Sequence, residues 1–111
     1  MNALSEQGCT ACRKGAPPLS DEQIARYLDQ LPDWQLIETD SVKRLQKVYK
    51  FKNFAQALQF TDKVGAAAEQ EGHHPAILTE WGQVTVSWWT HAIGGLHEND
   101  FIMAAKTDDL V

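Results

Sequence analysis

Three histidines, His73, His74 and His91, stand where predicted regular elements end, which is where side chains can reach a ligand. Imidazole titrates near neutral pH, at about 6.5, so one ring can give and take a proton within a single turnover. The first two histidines follow a pair of carboxylates, Glu69 and Glu71. The residue types therefore indicate acid–base chemistry, and the alternative is that these histidines are solvated or capping residues.

His73 and His74 are neighbours just before Pro75. Adjacent side chains of an extended segment project in opposite directions. We therefore expect different roles for the two rings: one faces a cleft, and the other braces it or lines its edge.

A metal site is an alternative use of the same side chains. Zinc sites of the metalloprotease type place two histidines four residues apart on one helix, and adjacent histidines rarely bind one ion together. The spacing therefore predicts no metal at this site. The residues that could serve as ligands are His73, His74, His91, Glu69 and Asp100.

The two cysteines of the chain, Cys9 and Cys12, form a Cys-x-x-Cys motif near its start. Such a motif can be half of a zinc site or a redox pair. However, the sequence contains no second pair and no strand–helix–strand pattern of the thioredoxin type around the motif. We expect two free thiols.

Four tryptophans are many for a chain of 111 residues. Trp88 alternates in step with Val84 and Val86 and is predicted to lie in the core. For Trp81 and Trp89 the sequence leaves three roles open: packing, an interface, or a surface on which a flat ring stacks.

Half of the ten basic residues lie in one segment, and the interpretation we favour is a solvated edge or face of a strand. The alternative is nucleic-acid binding, but the net charge of −5 opposes attraction to phosphate backbones and anionic lipids. The chain also lacks an apolar run long enough to span a membrane or to act as a secretory signal. We predict a cytoplasmic protein that binds neither nucleic acid nor membrane. The basic residues of the segment are Lys43, Arg44, Lys47, Lys50 and Lys52.

The elements that position these residues follow from caps and periodicity. Residues 1–19 are predicted to be a flexible arm, and residues 20–111 a single domain. Helices are predicted to begin after Ser20, Asn53 and His97, and the second is predicted to end at Gly72. The predicted strands are 34–39, 45–51, 77–81 and 83–90.

This αββαββα order predicts an α+β fold. Strands joined by tight turns pair antiparallel, so the four strands form one antiparallel sheet. Three helices that each have one apolar side are expected to cover one face of that sheet. The other face stays open, and we expect a second copy of the chain to cover it.

The spacing Glu69-x3-His73-His74-Pro75-x5-Trp81-x9-His91-x8-Asp100 resembles the signature of the pterin-4a-carbinolamine dehydratase family. Mammalian members of that family also act as a dimerisation cofactor of a homeodomain transcription factor. The family fold agrees with the αββαββα order predicted over the domain. The Cys-Thr-Ala-Cys-Arg segment of the arm is similar to that of bacterial members.

The resemblance implies loss of water from a 4a-hydroxytetrahydropterin to give the quinonoid dihydropterin. This step recycles the tetrahydropterin cofactor of aromatic amino acid hydroxylases and needs no metal or redox cofactor. By family analogy, His73 and His91 are acids that reach the departing hydroxyl group. His74 chiefly binds the pterin and has some base character.

The resemblance also implies substrate-binding roles for Glu69, Trp81, Thr90 and Asp100. Alternatively, the Asp100 carboxylate serves the last helix, because a negative charge in the first turn interacts favourably with the helix dipole. Two positions depart from the mammalian pattern: Gly72 replaces an acidic residue, and His97 replaces a serine cap. The expected partners are the pterin, a second copy in a homodimer or homotetramer, and an aromatic amino acid hydroxylase. The alternatives are a protein-binding module with little activity and a pterin enzyme of another pathway.

Overall fold

The structure, a computed structural model, describes residues 18–111. Cys9, Cys12 and most of the predicted arm lie outside the described residues, so the arm and the free thiols stay predictions. The predicted αββαββα order and the α+β fold class are confirmed. The helices are α1 (Asp21–Leu28), α2 (Phe54–Glu71) and α3 (Glu98–Asp108), and the strands are β1 (Gln35–Thr39), β2 (Val42–Lys50), β3 (Ala76–Glu80) and β4 (Gln83–Trp88).

The helix ends follow the capping residues of the sequence. Before α1, the Ser20 hydroxyl accepts from the Gln23 amide at 3.2 Å, and the Gln23 side chain accepts from the Ser20 amide at 2.9 Å. Asn53 caps α2 in the same way, by accepting from the Gln56 amide at 2.8 Å. Gly72 ends α2 in the left-handed conformation, with φ of 63°. This sharp stop directs the chain into the segment that holds His73.

The four strands form one antiparallel sheet in the order β1-β2-β4-β3. β2 begins at Val42, three residues earlier than predicted, because Asp40 and Ser41 form a tight turn with positive φ and Thr39 pairs with Val42. β4 ends at Trp88, two residues earlier than predicted. A short 3₁₀ turn, His91–Ile93, follows it, and the sequence analysis did not predict this element.

The core lies between the helices and one face of the sheet. Helices α2 and α3 contact β4, and α1 joins them through Tyr27, whose ring stacks on Phe101 at 4.8 Å. Trp88 is completely buried, so its predicted place in the core is confirmed. The sheet residues buried on this face are Leu45, Tyr49, Val84, Val86 and Trp88.

The opposite face of the sheet keeps apolar side chains in contact with solvent. Val48 of β2 and Leu78 of β3 both flank Thr85 of β4 in the strand register, and each is about half exposed. Across residues 18–111, no helix is long and apolar enough to cross a lipid bilayer.

Asp108, at the end of α3, ties that helix to the sheet. One carboxylate oxygen accepts from the Lys47 ammonium at 2.7 Å and from the Tyr49 hydroxyl, and the other accepts from the Trp34 indole at 3.1 Å. Burial, and then this hydrogen bond to a carboxylate, raise the pKa of Tyr49, so the phenol stays protonated. Lys47 faces the helices to reach Asp108, and for this reason its position interrupts the apolar alternation of β2.

We expect Asp108→Ala to lower the free energy of unfolding by about 2–3 kcal/mol, because three partly buried donors lose a charged acceptor. Asp109→Ala is the matched control, since Asp109 is an exposed carboxylate on the next residue. Urea titration followed by tryptophan fluorescence measures both. Equal midpoints for the two variants would show that the Asp108 contacts do not stabilise the fold.

Candidate active site

The β3–β4 hairpin brings together the two histidine segments of the sequence. Ala76 at the start of β3 pairs with Ser87 near the end of β4. The residues just before β3 and those just after β4 therefore lie at the same end of the sheet. His73 and His74 belong to the first of these segments, and Thr90 and His91 to the second.

Asp100 connects the two segments directly. One oxygen of its carboxylate lies 2.6 Å from Nε2 of His73, and the other accepts from the Thr90 hydroxyl at 2.7 Å. Asp100 is completely buried, and Thr90 is nearly so. A carboxylate removed from water is stable only with such partners, so these three residues form one connected polar cluster.

Asp100 also takes part in the cap of α3. The oxygen that binds Thr90 accepts from the His97 amide at 2.9 Å. In return, Nδ1 of His97 accepts from the Asn99 amide at 3.1 Å. His97 therefore replaces the expected serine as a working cap, and the first turn of α3 holds Asp100 in place.

His73 is buried, so the alternative of a solvated residue does not apply to it. Its ring lies 5.7 Å from that of Trp88 and nearly parallel to it, at an interplanar angle of 10°. A carboxylate oxygen accepts hydrogen bonds, so the contact with Asp100 favours the tautomer of His73 that carries its hydrogen on Nε2. Nδ1 is then the nitrogen through which His73 can exchange a proton with a ligand.

His74 projects away from this cluster towards solvent, so the two adjacent rings point in opposite directions, as their adjacency predicts. Its Nε2 hydrogen-bonds to the carboxylate of Glu69 in the last turn of α2. Both side chains are more than half exposed. Glu69 therefore orients His74, and this imidazole stays open to a molecule arriving from solvent.

His91 begins the 3₁₀ turn, and its position is set by the backbone on both sides. Thr90 and Gly95 form an isolated antiparallel bridge, in which the Thr90 amide donates to the Gly95 carbonyl at 2.8 Å. Gly94 closes the turn in the left-handed conformation, with φ of 60°. The exposed His91 ring lies 4.5 Å from the ring of Trp89.

A family model described as pterin 4 alpha carbinolamine dehydratase matches residues 17–110. This chain belongs to the pterin 4 alpha carbinolamine dehydratase family. The resemblance predicted from the sequence is thereby confirmed.

Relatives of similar length support the assignment to the dehydratase family. A protein of Syntrophotalea carbinolica is 61% identical over 111 residues, and one of Nitrosococcus oceani is 62% identical over 111 residues. Each match covers 100% of this chain. The matches cover 99% of the Syntrophotalea protein and 98% of the Nitrosococcus protein. Both are provisionally named pterin-4-alpha-carbinolamine dehydratases.

Two solved structures share the fold. The crystal structure of a transcriptional coactivator/pterin dehydratase from Brucella melitensis matches with a TM-score of 0.76 and 29% identity, over 85% of this chain and 98% of that one. A pterin dehydratase-like protein, described as a RuBisCO assembly factor in the alpha-carboxysome, matches with a TM-score of 0.59 and 28% identity. That match covers 70% of this chain and 88% of the other.

Not every residue of the dehydratase signature joins the cluster. Of the signature residues, His73 and Asp100 are in direct contact, and Thr90, which precedes His91, also contacts Asp100. His74 follows His73 in the chain. Trp81 instead lies in the β3–β4 turn, at the other end of β4, with 74% of its surface exposed. The length of that strand, about 20 Å, separates it from Thr90.

Within residues 18–111, no three His, Cys, Asp or Glu side chains come together as metal ligands. The basic segment is divided between the faces of the sheet: Lys43 pairs with Asp21, Lys47 with Asp108, and the Arg44 guanidinium lies over Trp89. The place of Arg44 beside Trp89 was not predicted from the sequence.

Proposed function

We propose that this chain dehydrates 4a-hydroxytetrahydropterin to the quinonoid dihydropterin and water. The observation that supports this most strongly is the cluster in which one buried carboxylate, Asp100, holds both His73 and the residue before His91. Proton donors and acceptors from two distant segments then lie at the same end of the sheet. Family membership supports the choice of a pterin as the ligand.

The reaction needs one proton delivered and one removed. An imidazolium, of His73 or His91, protonates the C4a hydroxyl group, and the C–O bond breaks as water leaves. The N5 lone pair forms the C4a=N5 double bond, and a base then takes the N5 proton. His74 supplies the base and a contact to the pterin, with Glu69 as its hydrogen-bond partner. Nothing is oxidised or reduced overall, so acid–base groups suffice.

In this proposal, Asp100 and Thr90 serve the substrate site mainly by holding the histidines, and Thr90 lines the pocket at the end of the strand. The physiological purpose is recycling of the tetrahydropterin cofactor for an aromatic amino acid hydroxylase in the cytoplasm. The chain acts as a homodimer or homotetramer. The exposed apolar sheet residues Val48 and Leu78 support association with a second copy.

The test is a stopped-flow assay of freshly prepared carbinolamine, with quinonoid dihydropterin formation followed by absorbance. The protein is expected to accelerate the reaction in proportion to its concentration and to release product many times per chain. A rate equal to that of buffer, at protein concentrations comparable to that of the substrate, would refute the dehydratase assignment.

The second candidate function is a protein-binding module. It is favoured by the outer side of α2, where Phe54 and Leu58, one turn apart, are each more than two-fifths exposed. The names of the structural neighbours, a transcriptional coactivator and an assembly factor, describe such roles for those proteins. Partner binding that survives loss of all three site histidines, in a chain without dehydratase activity, would favour this function.

A further inference from the structure

Arg44, Trp89 and His91 form a continuous stack on the open side of the sheet. The Arg44 guanidinium carbon lies 3.9 Å from the centroid of the Trp89 ring. The same tryptophan ring lies 4.5 Å from the His91 imidazole. The indole is therefore in contact with a cation and with a proposed catalytic imidazole.

The burial of Arg44 in this stack lowers the stability of the fold in one respect. Among the buried side-chain nitrogen and oxygen atoms of residues 18–111, Nε of Arg44 is without a hydrogen-bond partner. A buried N–H group that has lost its water and gained no acceptor is destabilising. The contact between guanidinium and indole offsets part of this cost, since a cation over the face of tryptophan is attracted to it. Native proteins contain few such groups, so each one calls for a specific reason.

The geometry of His91 supplies a reason. His91 is exposed, and it stands at the start of a short turn rather than inside a regular element. A free imidazole in that position would exchange among several rotamers and would seldom point at a bound ligand. Trp89 is half-buried between Arg44 and His91, so its ring offers His91 a surface that is itself held in place.

We propose that Arg44 and Trp89 are positioning residues for His91, with Arg44 acting through the Trp89 ring. The inference rests on the proposed function where it concerns turnover, because it assumes that the His91 imidazole exchanges a proton with the substrate. Arg44 and Trp89 themselves take no part in proton transfer. Their effect is to keep the His91 ring in one orientation before the substrate arrives.

Arg44→Met tests the proposal, because it removes the cation and keeps an apolar side chain of similar length. The turnover number is expected to fall about three- to thirty-fold, the range set by one cation–aromatic contact, with little change in KM. Lys50→Met is the matched control. It removes a cation from the same face of the same strand, where Lys50 contacts Gln83 and not Trp89. This control is expected to keep wild-type turnover.

A second measurement reports the position of His91 directly. The imidazole protons of His91 lie beside the Trp89 ring current, so their NMR resonances are displaced, and loss of these resonances in His91→Ala assigns them. Arg44→Met and Trp89→Leu are expected to move them, whereas Trp89→Phe is expected to preserve both part of the displacement and most of the turnover. Thermal unfolding shows whether each variant is folded. If Trp89→Leu does not fold, Arg44→Met and Trp89→Phe are enough to test the position of His91.

The two readouts separate this inference from the proposed function. Unmoved His91 resonances in Arg44→Met would overturn the inference, and so would moved resonances with wild-type turnover. If the wild-type chain does not accelerate dehydration, the proposed function fails. The inference is then decided by the resonances alone: movement supports the positioning by Arg44, and no movement overturns it.

Discussion

Replacing His73 or His91 with alanine is expected to lower the turnover number for carbinolamine dehydration by about 10²- to 10⁴-fold, the usual contribution of an essential acid or base. His73 has a buried hydrogen bond to Asp100, and its loss also leaves that carboxylate short of a partner. His91 is exposed, so its replacement leaves the core intact. Stopped-flow rates at several protein concentrations, with the uncatalysed rate subtracted, measure the effect.

His97→Asn is the control for these histidine variants. It removes an imidazole that caps α3, and asparagine is itself a good capping residue. Turnover is expected to stay near the wild-type value. If the turnover numbers of His73→Ala and His91→Ala equal that of this control, the proposal that these histidines catalyse by acid–base chemistry is wrong.

Asp100→Asn is expected to have the largest effect on the fold and a large effect on turnover as well. The carboxylate accepts from His73, Thr90 and the His97 amide while completely buried. An amide of the same shape presents an NH₂ group to at least one of these donors. We expect the free energy of unfolding to fall by about 2–4 kcal/mol. His73 would also lose the fixed orientation of its ring, so turnover would fall at temperatures where the variant remains folded.

Glu98→Gln is the matched control for Asp100→Asn, because it removes a negative charge from the same first turn of α3, where Glu98 contacts Tyr27 and glutamine keeps an oxygen acceptor for that hydroxyl. Its cost is expected to be below about 1 kcal/mol, the size of a charge effect at a helix end. Urea unfolding gives the stabilities, and the dehydration assay gives the turnover. If the two variants lost the same free energy of unfolding and the same turnover, Asp100 would stabilise the protein only through the helix dipole and not through the buried cluster.

Much of the fold could be predicted because local chemistry determines it. The capping residues Ser20 and Asn53 and the terminator Gly72 gave the helix ends, and the alternation of β4 gave its buried face. The alternation of β2 was harder to predict, because Lys47 on its inner face is stabilised by Asp108, a partner 61 residues away. A contact of that kind leaves no periodic signal.

The geometry of the candidate site could be predicted only in part. The opposite projection of His73 and His74 follows from their adjacency, and the structure shows it. The burial of His73 against Trp88 depends on tertiary packing between distant segments. The place of Arg44 beside Trp89 requires the pairing of β2 with β4, which the order of elements alone does not determine.

The central claim, that the three imidazoles surround one pterin ring, is tested most directly by a crystal structure with a stable reduced pterin, such as 7,8-dihydrobiopterin, at saturating concentration. The account predicts that the bicyclic ring lies at the end of the β3–β4 hairpin, within hydrogen-bond distance of Nδ1 of His73 and of the rings of His74 and His91. A pterin bound at another surface, with these three rings unoccupied, would contradict it.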